Sequence, residues 1–171
     1  MRSLYFCLFG IGLSIMSQTT TASANSSIML ETSQGQIEII LLPEHAPKHV
    51  KRISQLVSEG FYDGIIFHRV IPGFMAQTGD PTGTGMGGSG EKLKAEFSEY
   101  KYRYGTVGMA RSMSPDSADS QFFICYDGCE HLSGQYTVWG QVENGMEVVE
   151  KLAAGEPPSK PDKIISAKLN D

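Results

Sequence analysis

Residues 67–80, FHRVIPGFMAQTGD, combine side chains that can donate hydrogen bonds with a run of apolar neighbours. His68 and Arg69 carry an imidazole and a guanidinium, and Gln77 adds an amide. A cation is costly to bury unless something pairs with it, so an arginine among phenylalanine, isoleucine and methionine residues needs an explanation. One explanation is a core hairpin whose arginine extends until its head group reaches solvent.

The alternation of this stretch favours a pocket instead. Side chains two residues apart in a strand lie on the same face. A count by twos from Arg69 reaches Ile71 in one direction and Phe67 in the other. The same count from Met75 reaches Gln77. A cationic donor, an amide and apolar side chains on one face are typical of a site for a small ligand.

Short strands and two helices must position this stretch. Alternating apolar residues predict strands at 28–32, 37–41, 65–70, 74–77, 106–110, 121–126, 136–142 and 163–169. Apolar residues at helical spacing predict one helix from the proline at 47 to the glycine at 60, and a second at 145–153. This pattern implies a mainly β fold, an antiparallel barrel or sandwich with helices over its ends.

Three other motifs predict no chemistry. Residues 83–88, GTGMGG, match the glycine spacing of a dinucleotide-binding loop, but no clear helix start follows, so a surface loop is expected. His45 and His49 are separated by Pro47, so a solvated helix start is expected rather than a zinc site. Residues 112–120 are polar without a base at a recognisable spacing, so a loop without a nucleophile is expected.

Composition and charge fit one exported domain. The 171 residues suffice for a single core, and a net charge of −5 without a basic run argues against a nucleic-acid partner. Residues 1–24 are predicted to be a cleaved signal peptide, since Arg2 precedes the apolar run 4–16 and ASA at 22–24 has the form of a cleavage site. A membrane anchor is the alternative, but the apolar run is short for ~30 Å of hydrocarbon. The predicted domain is 25–171, exported to the periplasm, with full secretion as the alternative, and without stable membrane insertion.

Cleavage would leave two cysteines, Cys125 and Cys129. In an oxidising compartment they could form a disulfide. The alternative is one buried strand thiol and one loop thiol without a bond, and it is favoured because sequence does not supply the Cα separation that a disulfide requires. Two thiols also fall short of the four ligands of a structural zinc site, so no metal is expected.

Several motifs together resemble one known family. The stretch 67–80 closely resembles the signature of the cyclophilins, the cyclosporin-binding class of peptidyl-prolyl cis-trans isomerases. The resemblance continues in order through VGMAR at 107–111, DSQFFI at 119–124, LSGQYTV at 132–138 and GMEVV at 145–149. It implies a closed eight-stranded antiparallel β-barrel capped by two α-helices, in agreement with the predicted elements.

The resemblance also implies roles for individual residues. The family's catalytic arginine corresponds to Arg69. The substrate-binding positions correspond to Phe74, Met75, Phe123 and Leu132 in the proline pocket, Gln77 beside it, Ala110 and Arg111 in the segment that pairs with peptide, and His68, His131 and Tyr136 around it. No cofactor is implied, because rotation about an X-Pro amide breaks no bond.

Two positions depart from the eukaryotic pattern of the family. His131 stands where those members have a tryptophan that contacts cyclosporin, and Tyr136 stands where they have a histidine. Less apolar contact at His131 implies weak or no cyclosporin binding. The expected partners are proline-containing peptides and unfolded exported proteins, and a monomer is expected because no apolar surface stripe demands a partner. The rival hypotheses are a peptide-binding module without catalysis and, more remotely, a redox role for the two cysteines.

Overall fold

A computed structural model describes residues 26–170, and every strand and helix predicted from the sequence has a counterpart in it, although the strand predicted at 65–70 begins only at Arg69. The strands are β1 (Ser27–Thr32), β2 (Gly35–Leu41), β3 (Arg69–Ile71), β4 (Met75–Thr78), β5 (Thr106–Met109), β6 (Phe122–Cys125), β7 (Val138–Asn144) and β8 (Ile164–Asn170). The helices are α1 (Pro47–Ser58) and α2 (Met146–Val149), with single 3₁₀ turns at Pro115–Ser117 and Glu130–Leu132.

All eight strands form one antiparallel sheet in the order β3-β4-β6-β5-β7-β2-β1-β8. The sheet curls until its two edges meet at a single bridge between Ile66 and Lys163. There the Phe67 N–H donates to the Asp162 carbonyl at 2.9 Å. The prediction of a barrel is therefore correct in its strands and curvature. The barrel is less completely closed than predicted, since β3 has only three residues and begins after this bridge.

The core fills the inside of the curled sheet. Trp139, Ile37, Ile39 and Phe67 are fully buried there. Helix α1 covers one end with its apolar face, because buried residues recur along it at helical spacing: His49, Val50, Ile53, Leu56 and Val57. A second, smaller cluster lies under the candidate site and consists of Met75, Tyr102, Phe123, Cys125, Cys129, Leu132 and Val138.

The second helix is shorter than predicted. Helix α2 ends at Val149, whereas the sequence predicts helix to 153. The chain then continues in turns, with the Lys151 N–H donating to the Val148 carbonyl and the Leu152 N–H to the Val149 carbonyl. These shorter-range bonds replace the helical pattern while Leu152 still packs into the core.

The prediction of a solvated start for α1 is wrong for His49. Its side chain is completely buried, and its Nδ1 lies 2.7 Å from the Glu96 carboxylate. The same carboxylate accepts the backbone N–H groups of Lys48 and His49. Burial lowers the pKa of His49, although the hydrogen bond and charge of Glu96 act in the opposite direction. Glu96 caps the helix from a distant part of the chain, which local sequence could not indicate.

The favoured prediction of two unbonded thiols is also wrong, since Cys125 and Cys129 form a disulfide. The turn after β6 brings their Cα atoms to 6.1 Å, within the range that a disulfide requires. Gly128 makes this turn possible because its φ of +84° is a conformation that other residues rarely adopt.

The structure gives no test of the predicted signal peptide, because residues 1–24 lie outside the described part of the chain. Between residues 26 and 170, no helix has the length and apolar character needed to cross a membrane.

Candidate active site

The β3–β4 hairpin places the predicted polar residues on one face. Arg69 pairs with Gln77 and Ile71 pairs with Met75, so all four side chains lie on the same side of the hairpin. Phe67 does not join them, although the count by twos included it. It is buried in the main core, because the pleated strand begins only at Arg69 and the alternation does not extend back to it.

One pocket opens on this face. It is lined by nine of the eleven predicted site residues: Arg69, Phe74, Met75, Gln77, Ala110, Arg111, Phe123, Leu132 and Tyr136. Its volume is about 140 Å³, well below the ~300–1,000 Å³ of pockets that hold drug-sized ligands. A cavity of this size suits one side chain of a larger molecule.

The pocket has an apolar floor made from two strands and a turn. Met75 of β4, Phe123 of β6 and Leu132 of the 3₁₀ turn are buried there. The Phe123 ring stacks on Tyr102 at 5.7 Å and meets Tyr136 edge-on at 5.8 Å. These contacts fix the ring from two sides and make the floor rigid.

The floor also depends on a glycine in β5. A Cβ atom at Gly108 would overlap the Tyr102 hydroxyl and lie 2.9 Å from Phe123 Cζ. Only glycine therefore lets these two rings approach the strand so closely.

Arg69 lies at the rim of the pocket, and 38% of its side chain is exposed. It is therefore not the enclosed cation that its apolar neighbours suggest. Its Nη1 lies 3.8 Å from Met75 Sδ, and its Nε lies 3.2 Å from a carboxylate oxygen of Glu156. The guanidinium thus has one side on the pocket floor and an acidic partner on the other.

Gln77 belongs to a chain of amide hydrogen bonds. Its amide donates to Gln121 at 2.9 Å, and the Gln121 amide donates to the carbonyls of Gly85 and Gly87. This chain ties the β4 strand to the glycine-rich loop. It fixes which way the Gln77 amide is turned at the pocket rim.

The glycine-rich loop folds around the carboxylate of Asp80. The carboxylate accepts the hydroxyl and N–H of Thr82 and the N–H groups of Gly85 and Gly87. Burial alone raises the pKa of Asp80, but these hydrogen bonds outweigh it and lower the pKa to about 2. The loop is the expected surface loop, held in one shape beside the site.

His68 lies behind the pocket rather than in it. Only 5% of the residue is exposed, and it lines an adjoining groove together with Arg69, Gln77 and Glu156. Within the described chain neither ring nitrogen has a hydrogen-bond partner. The pKa of His68 is lowered, mainly by burial. The charge of Asp80 acts in the opposite direction, and the charge of Arg69 lowers the pKa further.

His131 lies outside the pocket as well. It is exposed and stacks on Phe74, with ring centroids 5.7 Å apart and an angle of 25° between the planes. The Phe74 wall is supported from below by the disulfide, since Cys129 Sγ lies 3.1 Å from the Phe74 carbonyl oxygen.

The remaining predicted residues form the far wall. The Arg111 guanidinium lies over the Tyr136 ring at 4.2 Å and donates to the Gln135 carbonyl. The Ala110 N–H donates to the Gln121 carbonyl at 2.9 Å. Tyr136 is therefore held between Arg111 on one side and Phe123 on the other.

The sequence analysis missed two residues of the site. Gln121 lies two positions before Phe123, so the alternation of that segment could have placed it near the pocket. Glu156 gives no such indication, because only the folded chain brings it beside Arg69.

A curled eight-stranded sheet with a small apolar pocket and an arginine at its rim defines a known class of protein. The family model "Cyclophilin type peptidyl-prolyl cis-trans isomerase/CLD" matches residues 27–169, and the chain belongs to this family. It is therefore a peptidyl-prolyl cis-trans isomerase, an enzyme that speeds rotation about X-Pro peptide bonds.

Relatives cover almost the whole chain. A probable peptidyl-prolyl cis-trans isomerase of Brucella suis is 45% identical over 93% of this chain and 91% of its own. A peptidyl-prolyl cis-trans isomerase of Synechococcus elongatus is 41% identical over 82% of this chain and 94% of its own.

Solved structures agree with these relatives. A cyclophilin of Hirschia baltica gives a TM-score of 0.76 at 30% identity, covering 84% of this chain and 73% of that chain. The structure of a cyclophilin type isomerase of Cryptosporidium parvum, determined in the presence of the dipeptide Ala-Pro, gives a TM-score of 0.79 at 32% identity. The match covers 85% of this chain and 99% of that chain.

Proposed function

We propose that the pocket binds the proline ring of an X-Pro bond and that Arg69 is the catalytic hydrogen-bond donor. The position of the Arg69 guanidinium at the rim of a small apolar pocket carries this proposal. A proline ring fits the apolar floor, and its amide nitrogen then lies at the rim where the guanidinium can reach it. The Cryptosporidium relative, whose structure was determined in the presence of the dipeptide Ala-Pro, supports a proline-containing peptide as the ligand.

The chemistry requires a donor that acts only when the amide is twisted. Resonance gives the planar X-Pro bond a rotation barrier of ~18–20 kcal/mol. As the bond twists, resonance is lost and a lone pair localises on the nitrogen. A positioned N–H group stabilises that lone pair more than it stabilises the planar amide, which lowers the barrier. Arg69 supplies such an N–H without changing its protonation state.

The surrounding residues would hold the peptide while one side rotates. Gln77 is turned by its bond to Gln121, so its amide is fixed before the substrate arrives. The backbone at Ala110 and Arg111 would pair with the peptide on the side before the proline. Preorganised contacts of this kind remove part of the entropy cost of reaching the twisted state.

We also propose that the natural clients are unfolded exported proteins and that the enzyme acts as a monomer in the periplasm. The signal-like residues 1–24 support export. The Cys125–Cys129 disulfide supports it independently, since disulfides persist mainly in oxidising compartments. N-terminal sequencing of the protein recovered from a periplasmic fraction tests this. A chain beginning at Asn25 supports export, and a cytoplasmic chain that keeps Met1 contradicts it.

The decisive test of the activity is exchange NMR on a short Ala-Pro peptide with residues 25–171, which contain the whole described fold. The unaltered protein should speed cis-trans exchange, and Arg69→Ala should lose the acceleration by at least ~100-fold, the cost of removing one preorganised donor. Urea unfolding of both proteins shows whether the variant is folded.

Three outcomes separate the hypotheses. Loss of exchange in a folded Arg69→Ala protein supports Arg69 as the donor. Unchanged exchange in that variant rules the assignment out. Peptide binding without acceleration by either protein would make this chain a peptide-binding module with an isomerase fold.

A further inference from the structure

Glu156 faces Arg69 across the free edge of strand β3. The Val70 N–H donates to the Gly155 carbonyl at 2.9 Å, and the Gly155 N–H donates back to the Val70 carbonyl at 2.9 Å. This reciprocal pair sets an antiparallel register in which the residue before Val70 lies opposite the residue after Gly155. Arg69 and Glu156 are those two residues, and their side chains meet at 3.2 Å.

The register at this point is fixed by a glycine. Gly155 has a φ of +147°, and a Cβ there would lie 2.6 Å from the Pro158 Cα. The segment is tied down nearby, since the Ala153 N–H donates to the Asp162 carboxylate at 2.8 Å. Asp162 is held in turn by Ser33 at 2.7 Å. Glu156 is therefore presented to Arg69 by a constrained backbone and not by a loose loop.

The contact divides the donors of Arg69 between two sides. Nε lies 3.2 Å from the Glu156 carboxylate in an ion pair, whereas Nη1 is directed to the pocket floor at Met75. Glu156 itself lines the adjoining groove and is not part of the pocket wall. It can thus act on the guanidinium without occupying the place of the proline ring.

We infer that Glu156 is a positioning residue for the isomerase reaction: its carboxylate oxygen, 3.2 Å from Arg69 Nε, holds the guanidinium and keeps the Nη groups directed at the pocket. This inference rests on the proposed role of Arg69. An arginine side chain has several freely rotating bonds, and one fixed anchor at Nε removes much of that freedom. The pair is half exposed, with Glu156 at 51%, so its contribution to stability is small and its effect belongs to the reaction.

The test measures kcat and KM separately for an Ala-Pro peptide with Glu156→Ala and Glu156→Gln. Glu156→Ala should lower kcat by about tenfold with KM within about twofold, since misplacing a catalytic group mainly costs the chemical step. Glu156→Gln keeps an oxygen acceptor and should retain most of kcat. Glu91→Ala is the matched control. The Glu91 carboxylate lies 3.4 Å from the Arg52 guanidinium, neither residue lines the pocket, and the substitution changes the net charge by the same amount.

A second readout follows the Arg69 Nε–H directly by ¹⁵N NMR. The Nε–H signal should move and exchange faster with water in Glu156→Ala, and remain near its position in Glu156→Gln. A purely structural role would change the unfolding midpoint and leave this signal and kcat in place.

Failures of the two proposals are distinguishable. If Arg69→Ala abolishes acceleration while Glu156→Ala keeps the unaltered kcat, this inference is overturned and the proposed function stands. If Glu156→Ala raises KM and leaves kcat unchanged, Glu156 contacts the substrate and is not a positioning residue. If Arg69→Ala itself is fully active, both proposals fall.

Discussion

A guanidinium stays charged under all conditions in which a protein folds, and this decides what Arg69 can contribute. At the rim of the pocket it is partly solvated, so it avoids most of the cost of burying a cation. On the pocket side it lies against Met75 and the apolar floor, where a hydrogen bond is stronger than in water. The rim position thus combines a tolerable cost in stability with an effective donor.

The side chain of His131 is expected to limit the affinity for cyclosporin. The imidazole covers Phe74 in part, and a tryptophan there would offer a larger apolar surface to a bulky ligand. We expect His131→Trp to bind cyclosporin at least about tenfold more tightly than the unaltered protein, which corresponds to ~1.4 kcal/mol of added contact. Isothermal titration calorimetry measures both affinities.

His45→Trp is the matched control for this prediction. His45 packs on Tyr100 and lines none of the pocket, so its substitution should leave cyclosporin affinity unchanged. Equal affinity of the unaltered protein and His131→Trp would show that position 131 does not limit cyclosporin binding.

At the scale of elements, strand β6 and the turn after it carry much of the pocket. Phe123 lies in the middle of β6, the disulfide joins the last residue of β6 to Cys129, and Leu132 follows in the 3₁₀ turn. The turn also supports the Phe74 backbone, because the Tyr126 N–H donates to the Phe74 carbonyl. Constraining this short segment therefore constrains two walls of the pocket.

Removing the disulfide should lower stability modestly. Replacing Cys125 and Cys129 by alanine should reduce the free energy of unfolding by roughly 2 kcal/mol, since the closed loop is short and the loss of unfolded-chain entropy is correspondingly small. Urea unfolding of residues 25–171 with and without the substitutions measures the difference.

A thiol titration of the unaltered protein accompanies this experiment. A protein of residues 25–171, folded under oxidising conditions, should show no reactive thiol before reduction and two after it. Two free thiols before reduction would contradict the disulfide.

For the whole molecule, buried ionisable groups predict how stability depends on pH. His49 and His68 have lowered pKa values in the folded state, both mainly through burial. As the pH falls below about 6.5, these histidines become protonated in the unfolded chain before they do in the folded protein. The free energy of unfolding therefore decreases as the pH falls below about 6.5. Asp80, whose pKa is about 2 instead of 3.8, adds roughly 2 kcal/mol that is present above pH ~4 and lost as the pH falls toward 2.

Buried tyrosines determine how stability depends on pH in the alkaline range. Burial raises the pKa of Tyr62 and Tyr102, and it raises that of Tyr126 to about 12. The folded state therefore keeps these hydroxyls protonated, and stability should fall as the pH rises above about 10. Urea midpoints between pH 3 and 11 should show a plateau from about 7 to 10.

Asp80→Asn separates the contribution of one carboxylate. This variant should be less stable than the unaltered protein at pH 7, and the difference should shrink at pH 3, where Asp80 in the unfolded chain is already mostly protonated. A difference that stays constant over this range would show that the hydrogen bonds of Asp80 do not depend on its charge.

Much of the fold could be predicted from the sequence because it depends on short-range patterns. Strand alternation and helical spacing each repeat within a few residues, so the eight strands and both helices could be predicted without any contact information. The face shared by Arg69, Met75 and Gln77 followed from the same alternation. The alternation failed only for Phe67, because β3 begins at Arg69 and does not reach back to that residue.

The sequence was enough to predict the elements and the class of fold, because these follow from local periodicity, whereas the residues of the pocket were implied by the resemblance of ordered motifs to a known family. Folding decided three contacts that the sequence left open: Glu96 at the start of α1, the bond between Cys125 and Cys129, which are only four positions apart, and Glu156 beside Arg69. The first and the third join distant residues through loops whose path is set by the packing of the whole sheet, and the second depends on the turn after β6. No repeating pattern along the chain records such a path, so these three contacts appear only once the chain is folded.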